Sequence, residues 1–205
     1  MLVADIMTTP ARTVTPEMTV KEALRLLHEL RVTALPVLDE RERLVGIVSE
    51  ADLLRDGVPH DSRAVLRRVR DPEPEPPGTV GAVMTRAVRT AAPGDDVADI
   101  AQTMVTTDIK SMPVLWGARV VGVVSRSDVV ARLARPDADL RKDVATALRA
   151  QELNAWHFVI DDGRARVWGG PHGECRLVEA TVRAVPGVRH VEVRHETRPW
   201  DDGTW

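Results

Sequence analysis

Apolar and polar residues alternate with two different periods along this chain, and the switches between them mark out its elements. Between Thr19 and Leu30 the apolar positions Val20, Ala23, Leu24, Leu27 and Leu30 recur at helical spacing. Thr19-Val-Lys-Glu22 opens that stretch in capping-box form, so the pattern predicts an amphipathic helix of about three turns. Val32-Thr-Ala-Leu-Pro36-Val-Leu38 follows, rich in apolar and β-branched residues around a proline. Proline has no N–H for a ladder, so the strand is predicted to begin at or just after Pro36. Asp39 to Arg43 reads as a polar hairpin turn and Leu44-Val-Gly-Ile-Val48 as the returning strand. Ser49-Glu-Ala-Asp52 then opens another helix with Ser49 at its N-cap.

The whole series runs twice. Met7, Pro16 and Pro36 match Met84, Pro93 and Pro113 at an offset of 77, whereas Gly46, Ser49 and Asp52 match Gly122, Ser125 and Asp128 at 76. One residue is therefore missing from the second hairpin turn. The second copy predicts a helix from Asp96 to Val105, a strand over Met112–Leu115, a short turn at Trp116-Gly117, a strand over Val120–Val124 and a helix from Ser125 to Leu133. A tandem repeat of this length builds one module with an internal two-fold, and ligand sites in such modules lie along the cleft the copies share.

After Ala134-Arg-Pro136 the pattern changes. Leu140, Val144 and Leu148 mark one helix face, and His157–Ile160 and Arg164–Trp168 flank Asp161-Asp-Gly163 as a hairpin with glycine in its turn. Leu177–Val185 reads as a second helix and Val188–Val193 as a final alternating strand. The fold class expected is α+β: two repeats, each a small sheet with flanking helices, then a small αββαβ domain. The divisions are residues 1–70 for the first repeat and its trailing segment, 71–78 for a linker, 79–135 for the second repeat, 136–198 for the C-terminal domain and 199–205 for a tail. Asp71-Pro-Glu-Pro-Glu-Pro-Pro-Gly78 is stiff and solvated by composition.

Composition narrows the function classes. The 205 residues carry 28 basic and 31 acidic side chains, interspersed, for a formal charge of -3. No broad positive face offers itself to nucleic acid. The 137–198 segment balances ten basic against ten acidic residues without a basic amphipathic helix, which argues against a membrane surface as partner. No apolar run approaches the ~20 residues of a membrane span and no secretory signal opens the chain, so a cytoplasmic location is expected. The single Cys175 excludes an internal disulfide, and His172-Gly-Glu-Cys175 lacks the ligand set of a metal site. No catalytic constellation or Gly-rich phosphate loop is present, so the chain reads as a non-enzyme with no cofactor.

Two in-register copies of a helix, an apolar-Pro-Val strand, a returning strand and a closing Gly-x-x-Ser-x-x-Asp resemble the CBS domain in its tandem arrangement, the Bateman module. The resemblance covers residues 3 to about 133. It implies a regulatory sensor of an adenosine nucleotide, AMP or ATP, with the Asp taking the ribose and the Ser lying near the phosphate. An ionised Asp only accepts hydrogen bonds, and vicinal ribose hydroxyls are matching donors. The resemblance also implies clefts that draw on both repeats. One would join Ser49 and Asp52 to Thr85, Ala87, Lys110, Ser111 and Met112. The other would join Ser125 and Asp128, with Arg126 as an added cation, to Thr9, Arg12, Thr33 and Ala34, and the sequence favours this second cleft. Both Ser-x-x-Asp pairs are equally capping boxes in outline, which need no ligand.

In the family, apolar repeat helices meet those of a second module, so a homodimer is expected here, with Leu24, Leu27, Ala101, Met104 and Leu133 marking the face. The C-terminal αββαβ order, with Val185-Pro-Gly-Val188 before its last strand, resembles a BON domain, a family often associated with phospholipid surfaces, but the balanced charge of residues 137–198 favours packing on a protein partner or on the other subunit. The rival class is a ligand-free dimeric scaffold or adaptor.

Overall fold

The computed structural model describes residues 1–55 and 77–195. The segment expected to trail the first repeat, most of the 71–78 linker and the 199–205 tail lie outside the described residues.

The first repeat forms α1 (Val20–Leu30), β1 (Ala34–Leu38), β2 (Leu44–Ser49) and α2 (Glu50–Leu54). The second begins with α3 (Val80–Val83), then α4 (Val97–Thr107), β3 (Ser111–Trp116), β4 (Arg119–Ser125) and α5 (Arg126–Leu133). The Thr19 capping box forms as the sequence predicts: the Glu22 amide donates to Thr19 Oγ1 at 3.2 Å, and the Glu22 carboxylate accepts from the Thr19 amide at 3.2 Å. These bonds satisfy two of the donors a helix start leaves without partners. The Thr19 hydroxyl, donating to the Glu22 carboxylate at 2.8 Å, and then the Thr19 amide hold the Glu22 carboxyl below its ordinary value.

Both prolines sit inside strands. β1 starts at Ala34, ahead of Pro36, and β3 at Ser111, ahead of Pro113. The Pro36 edge that carries no N–H faces away from β2, toward Val14, whose amide donates to the Pro36 carbonyl at 3.0 Å while its own carbonyl accepts from Leu38 at 2.9 Å. Ala91 makes the same pair of bonds around Pro113. A parallel partner that takes the proline's carbonyl and the amide two residues on asks for no N–H from the ring, so the strand extends through it. The hairpins carry a bulge at matching places, and Leu38 pairs with Leu44 where Leu115 pairs with Val120, so the second turn is the shorter by one residue.

The repeats exchange their leading segments. Thr85, from the start of the second repeat, pairs with Ile47 on β2 through two bonds of 2.9 Å, and Thr8, from the start of the first, pairs with Val123 on β4 at 2.9 and 3.0 Å. Each crossing lies over a glycine. A Cβ on Gly46 would stand 2.6 Å from Met84 Sδ, and one on Gly122 2.9 Å from the Thr8 carbonyl oxygen. The glycine of each Gly-x-x-Ser-x-x-Asp motif is thus the gap through which the other repeat's Met-Thr segment passes.

Contacts divide the described chain into two compact units, one of Met7–Asp95 with Gln102–Ser125, the other of Met1–Ile6, Asp96–Ala101 and Arg126–Trp205. In the first, Val14, Ala23, Leu27, Leu35, Val37, Val48, Leu53, Val80 and Met84 form a continuous core. Leu27 and its repeat equivalent Met104 are 3% and 1% exposed. Both belong to the interior and drop out of the outward face that helical spacing suggested for them, because the strongest apolar positions of an amphipathic helix turn first to its own core. Leu133 is half exposed.

In the second unit α6 (Asp137–Ala150), β5 (His157–Asp161), β6 (Arg164–Trp168), α7 (Cys175–Arg183) and β7 (His190–Arg194) follow one another. The sheet order is β5-β6-β7, with β7 parallel to β6, a pairing that requires the α7 crossover. Leu140, Val144 and Leu148 face a core with Trp156, Ile160, Val167, Val178 and Val182. Positive φ at Asp162 and Gly163 forms the hairpin turn. The Asp137 carboxylate accepts from the amides of both residues at 2.8 and 2.9 Å, fastening the turn to the start of α6. No helix among the described residues is long and apolar enough to cross a membrane.

Candidate nucleotide cavity

Within the Met7–Asp95 and Gln102–Ser125 unit, the strand ends of both repeats enclose a cavity of about 280 Å³. That lies near the lower end of the ~300–1,000 Å³ usual for small-molecule sites. The first repeat supplies Thr33 and Ala34 at the start of β1, Ile47 and Ser49 from β2, and Glu50, Ala51 and Asp52 from α2. The second supplies Thr85, Ala87, Val88 and Arg89 from its exchanged segment, and Asp108, Ile109, Lys110 and Ser111 leading into β3. The exchange of leading segments is what brings Thr85 to Arg89 here.

Ser49 and Asp52 make a capping box at the cavity wall. Asp52 Oδ2 accepts from the Ser49 amide at 2.9 Å and from the Ser49 hydroxyl at 2.6 Å, and the Asp52 amide donates to Ser49 Oγ at 3.3 Å. All the capping contacts of the carboxylate use one oxygen. A carboxylate has about four acceptor positions on two oxygens, so a cap through Oδ2 leaves Oδ1 able to accept from a ligand. The Glu50 amide donates to the Thr33 carbonyl at 3.1 Å, which ties α2 to the start of β1.

The wall is amphipathic. Ala34, Ile47, Ala87, Val88 and Ile109 offer apolar contact, and Arg89 and Lys110, both exposed, bring two cations to a rim that also holds Glu50, Asp52 and Asp108. Across the floor, Thr33 Oγ1 and Ser111 Oγ lie 3.0 Å apart and link the two repeats.

The cavity brings together Thr33, Ala34, Ser49, Asp52, Thr85, Ala87, Lys110 and Ser111. Thr33 and Ala34 therefore line the same cavity as Asp52, whereas the resemblance implies a cleft that joins them to Asp128. Met112 does not line it: the residue is 2% exposed and pairs with Val124 in the core. Thr9 lies elsewhere, its hydroxyl donating to the Val121 carbonyl at 3.0 Å, and Arg12 is exposed outside the lining. Ser125 closes one unit, whereas Arg126 and Asp128 open α5 in the other, and none of the three lines this cavity. Of the lining residues that sequence reasoning missed, Arg89 is the one that adds a cation. It is the equivalent of Arg12 at the repeat offset of 77, so carrying Arg12 forward by one repeat would have found it. Among the described residues no group of three or more His, Cys, Asp or Glu side chains is arranged to hold a metal.

Known proteins are similar to this chain in sequence and in fold. An uncharacterised protein, MJ1426, of Methanocaldococcus jannaschii is 30% identical over 154 residues, covering 65% of this chain and 91% of that protein. The L-aspartate semialdehyde sulfurtransferase of the same organism is 30% identical over 129 residues, but this chain spans only 22% of its length. Among solved structures, the CBS domain pair of MJ0100 in complex with 5'-methylthioadenosine and S-adenosyl-L-methionine matches with a TM-score of 0.52 and 29% identity, over 64% of this chain and 94% of that one. CBSX2 in complex with AMP matches at 0.52 and 27%, over 69% and 97%. The family model described as CBS domain matches residues 3–58 and again 80–135, together more than half of the chain. With two copies exchanging their leading segments around one cavity, the chain belongs to the CBS domain family and carries its tandem pair, a Bateman module.

Proposed function

We propose that this protein is a regulatory module that binds an adenosine nucleotide, AMP or ATP, in the Asp52 cavity. In this reading it is a homodimer that passes the ligand state to its C-terminal unit, read as BON-like from its αββαβ order, or to a protein partner through it. The observation that carries the reading is the division of labour at Asp52: one oxygen caps α2 and the other is left for the paired donors of a ribose. Apolar residues from both repeats flank the cavity for a base, and Arg89 and Lys110 are the cations a phosphate would meet. The bound ligands of the MJ0100 and CBSX2 structures, all adenosine derivatives, point the same way. CBS pairs act as regulatory rather than catalytic modules, which suits a chain without a catalytic motif.

The rival reading, a ligand-free dimeric scaffold, draws on the same Ser49–Asp52 contacts taken as capping alone. Mass spectrometry of a denatured extract of the purified protein, followed by calorimetry with AMP and ATP, separates them. Asp52→Asn keeps an acceptor for the cap but turns one carboxylate oxygen into a donor group, so nucleotide affinity should fall by ~1.5–3 kcal/mol, roughly ten- to a hundredfold. A lowered melting temperature with unchanged affinity would make Asp52 a cap and nothing more.

A further inference from the structure

Ser111 is the only polar or charged residue that is buried among the described residues, at 7% exposure, and it lines the cavity. Its hydroxyl meets a single partner, Thr33 Oγ1, at 3.0 Å, and that contact is likewise the only hydrogen bond of the Thr33 hydroxyl among the described residues. Two hydroxyls carry two hydrogens, and one bond between them uses one. The pair therefore always has one hydrogen with no acceptor in the described protein.

Burial decides which hydroxyl holds it. A buried O–H left without an acceptor costs about 1–3 kcal/mol, whereas a half-buried one reaches the cavity opening. Either oxygen could donate in this contact, but Ser111 is buried and Thr33 is not, so the balance of cost favours Ser111 as the donor and leaves the Thr33 hydrogen for the cavity. We propose that the Thr33–Ser111 pair is a donor relay for the ligand. Thr33 donates to an unprotonated acceptor atom of the nucleoside, a purine ring nitrogen or a ribose oxygen, while Ser111 polarises and aims it. The site then presents complementary halves: Asp52, which only accepts, and Thr33, which has a hydrogen to give. Because Thr33 comes from the first repeat and Ser111 from the second, an occupied site also fixes the link between their strand starts. At the symmetric positions the chain has Lys110 for Thr33 and Ala34 for Ser111, so no second relay of this kind arises from the repeat.

This inference rests on the adenosine reading, and the test distinguishes the two. AMP is titrated by calorimetry into the full-length protein and into Thr33→Val, Thr33→Ser, Ser111→Ala and the Thr33→Val/Ser111→Ala double variant. Thr33→Val, which keeps the side-chain shape, should lose about tenfold in affinity, the equivalent of ~1.4 kcal/mol for one neutral hydrogen bond. Ser111→Ala, which removes only the polarisation, should lose about twofold. The double variant should bind as Thr33→Val does, since a relay without its last member transmits nothing. Thr33→Ser should bind as the wild type does. Wild-type binding that survives Thr33→Val, or losses that add in the double variant, would overturn the relay and leave the adenosine reading standing. A wild type that binds no AMP, ATP or S-adenosylmethionine would overturn both.

Discussion

Replacing Gly122 by alanine tests the strand exchange on which the cavity depends. The new Cβ would lie 2.9 Å from the Thr8 carbonyl oxygen and 3.0 Å from Met7 Sδ, where ordinary contact begins at 3.4 Å. The sulfur, at the end of a flexible chain, can swing away. The carbonyl is backbone and must retreat by ~0.5 Å, which is where the strength of packed contacts falls away steeply. Thr8 is held to Val123 by bonds of 2.9 and 3.0 Å, and that retreat stretches the one accepted by Thr8 toward the limit of a hydrogen bond. Overpacking costs ~1–3 kcal/mol and a backbone bond ~1 kcal/mol, so Gly122→Ala should destabilise by about 2–4 kcal/mol. Gly46→Ala makes the instructive contrast. Its closest contacts, at 2.6 and 3.0 Å, are Met84 Sδ and Cγ, and the Thr85 carbonyl stands off at 3.2 Å. A new Met84 rotamer relieves most of that, for about 1 kcal/mol. Gly94, with nothing within 4 Å of its would-be Cβ, is the control, and its alanine variant should fall within about 0.5 kcal/mol of wild type. Urea unfolding of the three variants gives the order, and hydrogen exchange at the Val123 amide locates the damage. If Gly122→Ala proves no worse than Gly94→Ala, or leaves exchange at Val123 unchanged, the crossing of Thr8 over β4 is not what requires a glycine there.

Asp137→Ala removes the carboxylate that accepts from the Asp162 and Gly163 amides, and should cost about 1.5–3 kcal/mol in the C-terminal unit, read as a lowered urea midpoint together with faster exchange of those two amides. Glu22 is held below its ordinary value of 4.5 by the Thr19 hydroxyl first and the Thr19 amide second, and Asp39 below 3.8 by the side-chain bond from Arg43 and then the Arg43 amide. Since both folded values are depressed, their contribution is complete above pH 4.5 and disappears as the pH falls through the folded values. Glu22→Gln should flatten the acid limb of the unfolding midpoint plotted between pH 5 and pH 2. Light scattering at micromolar concentration should return about twice the 22.6 kDa of one chain, and a monomer mass would refute the homodimer.

Period and composition made the element order legible because each element carries its own local signal: the Thr19 capping box, the turn glycine at Gly163, the Leu140, Val144 and Leu148 stripe. What they could not supply is partnership between repeats. The repeat identifies Thr8 with Thr85 at an offset of 77 and Gly46 with Gly122 at 76, but the same list arises whether each Met-Thr segment crosses its own glycine or the other's. The choice is made by three-dimensional closure, and the pairing of Thr85 with Ile47 and of Thr8 with Val123 shows the exchanged form. The resemblance that joined Thr33 and Ala34 to the Asp128 cleft meets the same limit, since it names positions without fixing which of them meet in this chain. Pro36 illustrates a different blind spot. A local rule keeps proline out of a ladder, yet the strand runs through it because a parallel neighbour, Val14, bonds the Pro36 carbonyl and the Leu38 amide and asks for no N–H from the ring. The departures from symmetry were visible all along and carry the chemistry. Where one copy has Thr33-Ala34 the other has Lys110-Ser111, so a fold of two like halves gathers a hydroxyl from one copy, and a hydroxyl and a cation from the other, around a single cavity. A perfect repeat would have to place the same groups on both sides of its two-fold, and it is the divergence of these two positions that lets one side of this cavity differ from the other.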